Sequence, residues 1–498
     1  MVVGRERQGD GAALRDDRAR RGVILALGVT AVALALRLLV SEFLPLIDPD
    51  GIVYVAVARQ FRATGSPFDP IFHPLYPLCI ALAEPIAGEW ETAGRWVSAL
   101  FGALVILPAF ALARGIVGRE AALLCAVLIA IHPRLVLNSA SVLCEATYTF
   151  FLVSGVFAAR RGLVSGPRAL VALAGFCLGL AYLVRPEGAL YLVGLIAIAI
   201  FMIASGRARA AALLPWVGAA ALVFAVAAAP YVWYLGNVWG HFTLSGKIDH
   251  NLPLSTGLAA APSPPPIRIL ENAFLFQKYA LPDLLPWVLL LLVLPGVLVR
   301  AHMPGWLGRD GILLAAILPP FASLAFHVDS RIFLPIVPFL LPFAAVGVLW
   351  AAVMLSDARR GLRWSAALTL VVVLVLAPST LQPVLRPDHG AALYRQAARW
   401  VAATQPRDAV LLDRKPFVAY YSERRWIPIP RVGPDELLAA ARRAGAGLVV
   451  LDSRELPYDR PRLIPLLWGP PPPGLDVLRD FDADPGDRLR ILGVSERG

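Results

Sequence analysis

Apolar runs long enough to cross a bilayer recur from residue 23 to about residue 382, and nothing constrains the fold more. A helix needs about 20 apolar residues to span the hydrocarbon. Inside it, only helices and closed barrels satisfy every backbone polar group. The first run covers Val23 to Leu46 and is broken by Arg37 and Glu42. Arg37 reads as a snorkelling residue or a packing partner. Further spans are predicted at roughly 93–113, 120–137, 146–159, 169–184, 188–205, 211–233, 284–300, 311–327, 332–354 and 364–382. With short ones allowed, that makes about eleven transmembrane helices. Composition agrees. The chain is 58% hydrophobic and 16% charged, where a soluble chain is about 45–50% apolar and about 25% charged.

The first run exceeds the apolar core of a cleaved signal peptide, about 7–15 residues. It therefore reads as a retained first helix behind a basic cytoplasmic tail at 1–22. Loop charge then sets sidedness, because cytoplasmic loops carry the excess of Lys and Arg. Alternate loops hold Arg114 and Arg119; Arg160, Arg161 and Arg168; Arg207 and Arg209; Arg300 and Arg309; and Arg359, Arg360 and Arg363. This pattern places the N-terminus inside. The loops at 47–92 and 234–283 and the C-terminus lie outside, as in a bacterial-type plasma membrane. Within the first outer loop, Ile52 to Thr64 has apolar residues at helical spacing and reads as an interfacial helix. Pro74 to Ile86 is apolar but short, and reads as a second interfacial or re-entrant piece.

From residue 385 the composition becomes that of a soluble domain. Ala409 to Asp413 and Gly447 to Asp452 read as short buried strands, with a helix over Asp435 to Gly445 between them. That is a small extracytoplasmic α/β unit. The predicted fold is thus an α-helical polytopic membrane protein, with a transmembrane domain at 23–384 and an α/β domain at 385–498.

The net charge of +11 is accounted for by loop arginines rather than by a basic patch with interleaved aromatics, so nucleic acid is not an expected partner. Cys79, Cys125, Cys144 and Cys177 are scattered, form no C-x-x-C pair and resemble no zinc site. Cys79 and Cys144 could both face outward and pair, although spacing fixes no connectivity. No phosphate-binding glycine loop and no nucleophile elbow is present in the sequence. A lipid-linked phosphate suits the apolar bulk better than a nucleotide.

The chemistry-bearing residues gather at outer ends of spans. Asp48-Pro49-Asp50-Gly51 follows the first span. Its plainer reading is an acidic loop capping the next helix, with Asp50 near the N-cap. Its functional reading is a general base, with a divalent metal as a possible companion of Asp48 and Asp50. Glu145 is either a carboxylate favoured at a helix start or a second acid in the same pocket. Arg185 and Glu187, in Arg185-Pro186-Glu187-Gly188, are either a pair in a tight turn or a phosphate site. Lys247 is one of three lysines in the chain, in a stretch with Gly246, Asp249, His250 and Asn251 ahead of a Pro-rich turn at 262–266. Arg331 sits at a membrane boundary, where an arginine either snorkels or holds an anionic head group. His73 is the histidine of the first outer loop; it ranks lower, with His132 and His327, since a lone histidine is more often structural.

Four motifs then resemble a known group. They are Asp48-Pro-Asp50-Gly-x-x-Tyr54, His73-Pro-Leu-Tyr76-Pro77, Leu183-Val-Arg185-Pro-Glu187 and Ser330-Arg331-Ile-Phe-Leu-Pro335. Their order and sidedness resemble the GT-C integral membrane glycosyltransferases. The resemblance is greatest to bacterial relatives of dolichyl-phosphate-mannose-protein mannosyltransferases and of the aminoarabinose transferase acting on lipid A. It runs from about residue 22 to 384, and Arg414 to Tyr421 is similar to the periplasmic tail of some bacterial members. It implies sugar transfer, with inversion, from a polyprenyl-phosphate donor to a lipid, glycan or protein acceptor at the outer membrane face. By the same resemblance Asp48 is the catalytic base and Asp50 the more variable second acid. Arg185, Lys247 and Arg331 bind the donor phosphate, while Tyr54, His73, Tyr76, Glu145 and Glu187 line the pocket. Many members have Asp-Glu directly where this chain has Pro49-Asp50. The partners are the donor, the acceptor and the surrounding lipids. The alternative is a transporter or flippase of a lipid-linked sugar, which places ionisable groups near mid-span on broken helices; the outer-end placement favours the enzyme. A purely structural membrane protein gives no reason for acids and cations to gather on one side.

Overall fold

The computed structural model describes residues 3–247, 265–325, 328–355, 361–483 and 486–495. Asp249, His250, Asn251, residues 262–264, His327, Arg359 and Arg360 lie outside them. The chain divides into two compact units. The first holds residues up to Ser41 and Tyr54–Gln382. The second holds Glu42–Val53 and Pro383–Gly498.

The first unit is helical. Among the described residues, six helices are long and apolar enough to cross a membrane: Arg20–Glu42, Trp90–Val117, Ala210–Trp239, Trp306–Ala325, Ser330–Met354 and Arg363–Thr380. Two bent pairs raise the number to eight if each is one span: Arg119–Ile131 with Pro133–Ala140, and Pro266–Leu284 with Trp287–Ala301. Leu75–Ala87, Ala169–Tyr182 and Gly188–Ala204 are apolar but shorter. The chain is thus a multi-pass membrane protein. Predicted spans such as 169–184 and 188–205 form helices but fall short in length. The span predicted at 146–159 is helix Glu145–Val164, whose charged ends keep it outside that set.

Two features let these helices pack. Gly296 and Gly347 face each other's helices so closely that a Cβ would stand 1.8 Å from the Phe343 carbonyl and 2.0 Å from the Leu292 carbonyl. Small residues at such crossings let backbones approach. Arg37 is the second. It does not snorkel but is fully buried, donating to the carbonyls of Ala33 (3.0 Å), Ala130 (3.1 Å) and Ile129 (3.3 Å). The last two end helix Arg119–Ile131, where the Pro133 ring stops the ladder. Arg37 therefore satisfies carbonyls that a helix end leaves orphaned. Arg300, counted above as a loop charge, is also buried, and binds Asp310 at 2.8 and 3.0 Å. All four cysteines are free.

The second unit is a five-stranded sheet in the order β2-β1-β3-β5-β4, with β1 Val410–Asp413, β2 Arg425–Pro428, β3 Leu448–Asp452, β4 Leu475–Asp482 and β5 Arg488–Val494. Strand β1 runs parallel to both β2 and β3, while β5 pairs antiparallel with β3 and β4. The helix expected at 435–445 spans Pro434–Arg443. Leu411 and Val450 pack on one face, Leu412 and Val449 on the other. Both faces are covered, so the strands read as continuous apolar runs.

Asp413 and Asp452 end the neighbouring parallel strands β1 and β3, and both are buried. Asp452 Oδ1 accepts from the Tyr394 hydroxyl at 2.8 Å, while among the described residues Oδ2 of each aspartate has no hydrogen-bond partner. Burial, then the neighbouring carboxylate, holds Asp413 well above the usual carboxylate range; burial also raises Asp452. A carboxyl raised on folding stabilises fully below its unfolded value near 3.8, and that contribution is lost as the pH climbs toward the folded value. We therefore expect hydrogen-exchange protection of β1 and β3 in the full chain to fall as the pH rises above about 4, and Asp413→Asn to flatten that fall. A pH-independent protection in the wild type would contradict it.

Candidate active site

The charged centre lies in the first unit, on Glu145. This residue begins helix Glu145–Val164 and is fully buried. Its Oε1 accepts from Arg185 Nη1 at 2.8 Å and from Arg331 Nε at 2.8 Å. Arg185 stands in the turn between helices Ala169–Tyr182 and Gly188–Ala204, and there also donates from Nη2 to Glu187 at 3.0 Å. Arg331 lies in the first turn of helix Ser330–Phe333, whose N-cap Asp329 accepts the Arg331 backbone N–H. Three separate stretches thus converge on one carboxylate oxygen. Burial alone would lower the basicity of Arg185, but Glu187 and Glu145 outweigh it and hold its guanidinium well above its ordinary value. Burial opposes the charge on Glu187 too, and Arg185 reverses that, keeping its carboxyl below the usual range. Among the described residues, Glu145 Oε2 and the hydroxyls of Thr147 and Tyr148 have no hydrogen-bond partner. The Tyr148 ring lies 6.0 Å from the Arg185 guanidinium. Polar groups so buried and unpaired are costly unless something comes to meet them.

The aromatic residues of the first outer loop stand against this centre. The Tyr54 hydroxyl donates to Cys144 Sγ at 3.0 Å, beside Glu145. Its ring meets Phe72 and Tyr76 edge-on at 5.2 and 4.9 Å. Tyr76 is hydrogen-bonded to Ser98 at 2.7 Å. His73 packs between the rings of Tyr182 and Tyr231 at 5.1 and 4.7 Å. Burial pushes its imidazole down to about 4, so it is neutral near pH 7. Lys247 Nζ lies 5.8 Å from the Phe72 ring. The backbone there is packed so tightly that a Cβ on Gly246 would stand 1.6 Å from the Pro70 carbonyl. A cavity of about 380 Å³ is lined by Arg134, Leu275, Tyr279, Ala280, Asp283, Val328 and Ser330, the last adjoining Arg331.

Asp48 and Asp50 belong to the second unit. The helix after them starts at Pro49, so Asp48 rather than Asp50 takes the N-cap position: its Oδ1 accepts the Asp50 N–H at 2.9 Å. Proline suits the first helical position, and fixes the start two residues earlier than an N-cap at Asp50 implies. Among the described residues no three His, Cys, Asp or Glu side chains stand close enough to hold a metal.

Sequence reasoning missed Cys144 as the Tyr54 partner, and Tyr148, Tyr182 and Tyr231 as the walls around Arg185 and His73. The pair Tyr231 and Tyr234, one turn apart on one helix, is a local signal; the rest depend on long-range packing.

The fold is shared with known structures. ArnT from Cupriavidus metallidurans bound to undecaprenyl phosphate has a similar fold, with a TM-score of 0.59 at 15% identity over 94% of this chain and 98% of that one. The Archaeoglobus fulgidus oligosaccharyltransferase in complex with Zn and sulfate gives a TM-score of 0.61 at 15% identity, over 86% of this chain and 68% of that one. The archaeal oligosaccharyltransferase AglB from the same organism, with an inhibitory peptide and a dolichol-phosphate, gives 0.59 at 14% identity, over 87% and 70%. The fold is that of the GT-C integral membrane glycosyltransferases, as the motifs implied. Residues 69–234 match the family model of dolichyl-phosphate-mannose-protein mannosyltransferases. No curated protein sequence matches the chain.

Removing the shared anion leaves two partly buried guanidiniums without the carboxylate they share. Glu145→Ala is expected to cost about 3–5 kcal/mol, read as a lower melting temperature of the purified protein in detergent, with Glu145→Gln intermediate. An unchanged melting temperature for Glu145→Ala would show that the two arginines do not depend on it.

Proposed function

We propose that this protein transfers a sugar from a polyprenyl-phosphate donor to an acceptor at the outer face of a bacterial-type plasma membrane, inverting the anomeric centre. The observation that carries the reading is the Glu145 carboxylate holding Arg185 and Arg331 together. Two guanidiniums fixed in place before substrate arrives suit a phosphate, whose charge grows as the glycosidic bond breaks. The fold and the family match support the same class of donor.

In this reading Asp48 takes the proton from an acceptor hydroxyl or amine. The acceptor atom bonds to the anomeric carbon as the bond from that carbon to the phosphate oxygen breaks. The polyprenyl phosphate leaves with the electron pair and is met by Arg185, Arg331 and Lys247. Tyr54, His73, Tyr76, Glu145 and Glu187 shape the pocket, with neutral His73 a packing group rather than an acid. Asp50 supports Asp48 through its backbone N–H. A divalent metal is a further possibility raised by the zinc in the Archaeoglobus fulgidus structure; the acceptor is a lipid, a glycan or a protein.

The alternative of a transporter draws on the broken helices. One of the two breaks, at His132, where the helix pair bends by 50°, is filled from within the protein. Arg37 takes the carbonyls on one side, and the His132 ring accepts the Leu135 N–H and bonds the Leu284 carbonyl on the other. Such a break offers no open ion site of the kind transporters use.

The test is sugar transfer in membranes of a host expressing the chain, fed radiolabelled polyprenyl-phosphate sugars, beside Asp48→Asn at equal expression. Transfer by the wild type and a loss of at least about a hundredfold in the variant is expected. Equal transfer by both would remove Asp48 from the mechanism.

A further inference from the structure

The C-terminal unit contains two residues that grip the backbone immediately before Asp48. Tyr421, on helix Phe417–Ser422, accepts the Ile47 N–H on its hydroxyl at 2.8 Å. Arg395, on helix Ala392–Thr404, donates from Nε to the Pro45 carbonyl at 2.6 Å and from Nη2 to the Tyr421 hydroxyl at 3.2 Å. Its guanidinium also lies 4.1 Å from the centre of the Tyr421 ring, a cation–π distance. The two side chains are thus locked to each other as well as to the loop. Leu46 and Ile52 pack on the apolar core formed by the same two helices and the sheet, and Ile47 is buried. The Ile52 N–H bonds back to the Asp48 carbonyl. Anchors therefore stand on both sides of Asp48: at residues 45–47 before it and at residue 52 after it.

We infer that Arg395 and Tyr421 are positioning residues for the reaction, and that the C-terminal unit serves to fix Asp48. This rests on the reading of Asp48 as the base. A flexible loop following a membrane span would leave a carboxylate free to sample many directions. Proton transfer needs the carboxylate held within hydrogen-bond reach of the acceptor, and a misplacement of about 1 Å can cost a hundredfold in rate. Both anchors act through the backbone, so they fix where Asp48 stands without altering its chemistry. They also account for a soluble domain appended to a membrane enzyme: it carries the base, whereas Glu145, Arg185 and Arg331 belong to the membrane unit.

The test uses the full-length protein in nanodiscs, with Tyr421→Phe, Arg395→Met and Arg395→Lys beside Asp48→Asn. The first measurement is amide exchange over residues 43–50, which needs no substrate. Tyr421→Phe removes the acceptor of the Ile47 N–H while keeping the ring, so exchange there should speed up at least tenfold with strands β1 and β3 unchanged. Unaltered exchange would overturn the inference whatever the activity. The second is the rate of sugar transfer. Tyr421→Phe and Arg395→Met should lower kcat about ten- to a hundredfold with donor KM within twofold, and Arg395→Lys should recover part of the loss. Wild-type kcat in both variants, with Asp48→Asn inactive, would overturn the positioning role and leave the base assignment standing. Full activity in Asp48→Asn would overturn the base assignment, and the inference with it.

Discussion

A carboxylate taken wholly out of water must be met by opposite charge or it destabilises what surrounds it. In this molecule that carboxylate is Glu145, and two arginines meet it on a single oxygen. Their positions in the chain, 185 and 331, lie far from it and from each other, so the pairing joins three helix ends distant in sequence. The aromatic loop from Tyr54 to Tyr76 then closes on this centre through Cys144, the residue before Glu145. A phosphate-binding reading follows because the cations are held in place at the outset rather than recruited by the substrate.

The same rule governs the rest of the membrane unit. Where a helix breaks, its orphaned backbone groups need partners that lipid cannot give. Arg37 supplies donors to one side of the break at Ile131, and His132 serves the other. Arg300 closes the end of another helix by donating to the Ile116 carbonyl while paired to Asp310. Basic residues in this chain therefore do structural work that simple charge counting attributes to loops.

How far the sequence reveals these arrangements depends on the range of each interaction. Apolar run length exposes the helices, and short continuous apolar runs expose β1 and β3, because both are local. The motifs around Asp48, Arg185 and Arg331 show which residues carry charge at outer ends, and Glu145 is recognisable as an acid of the same region. That Glu145 is shared by both arginines is not legible, since no spacing encodes a contact between residues 145 and 331. The grip of Arg395 and Tyr421 escapes for the same reason: although Arg414 to Tyr421 stands out in the sequence, both residues lie 350 or more positions from the loop they hold. Arg37 is ambiguous in sequence, as a buried donor and a snorkelling residue look alike until the neighbouring helix break is in place. The N-cap shifts from Asp50 to Asp48 because Pro49, with no N–H to lose, is better as the first helical residue than as a residue before it.

The central claim is that Arg185 and Arg331 act as one phosphate site organised by Glu145. Its most direct test is the binding of undecaprenyl phosphate to the protein in nanodiscs, for Arg185→Gln, Arg331→Gln and the double variant. Each single variant should weaken binding at least about tenfold, roughly 1.4 kcal/mol. The double variant should fall short of the sum, because the second arginine loses its fixed position once the first is gone. Wild-type affinity in both single variants would contradict the account.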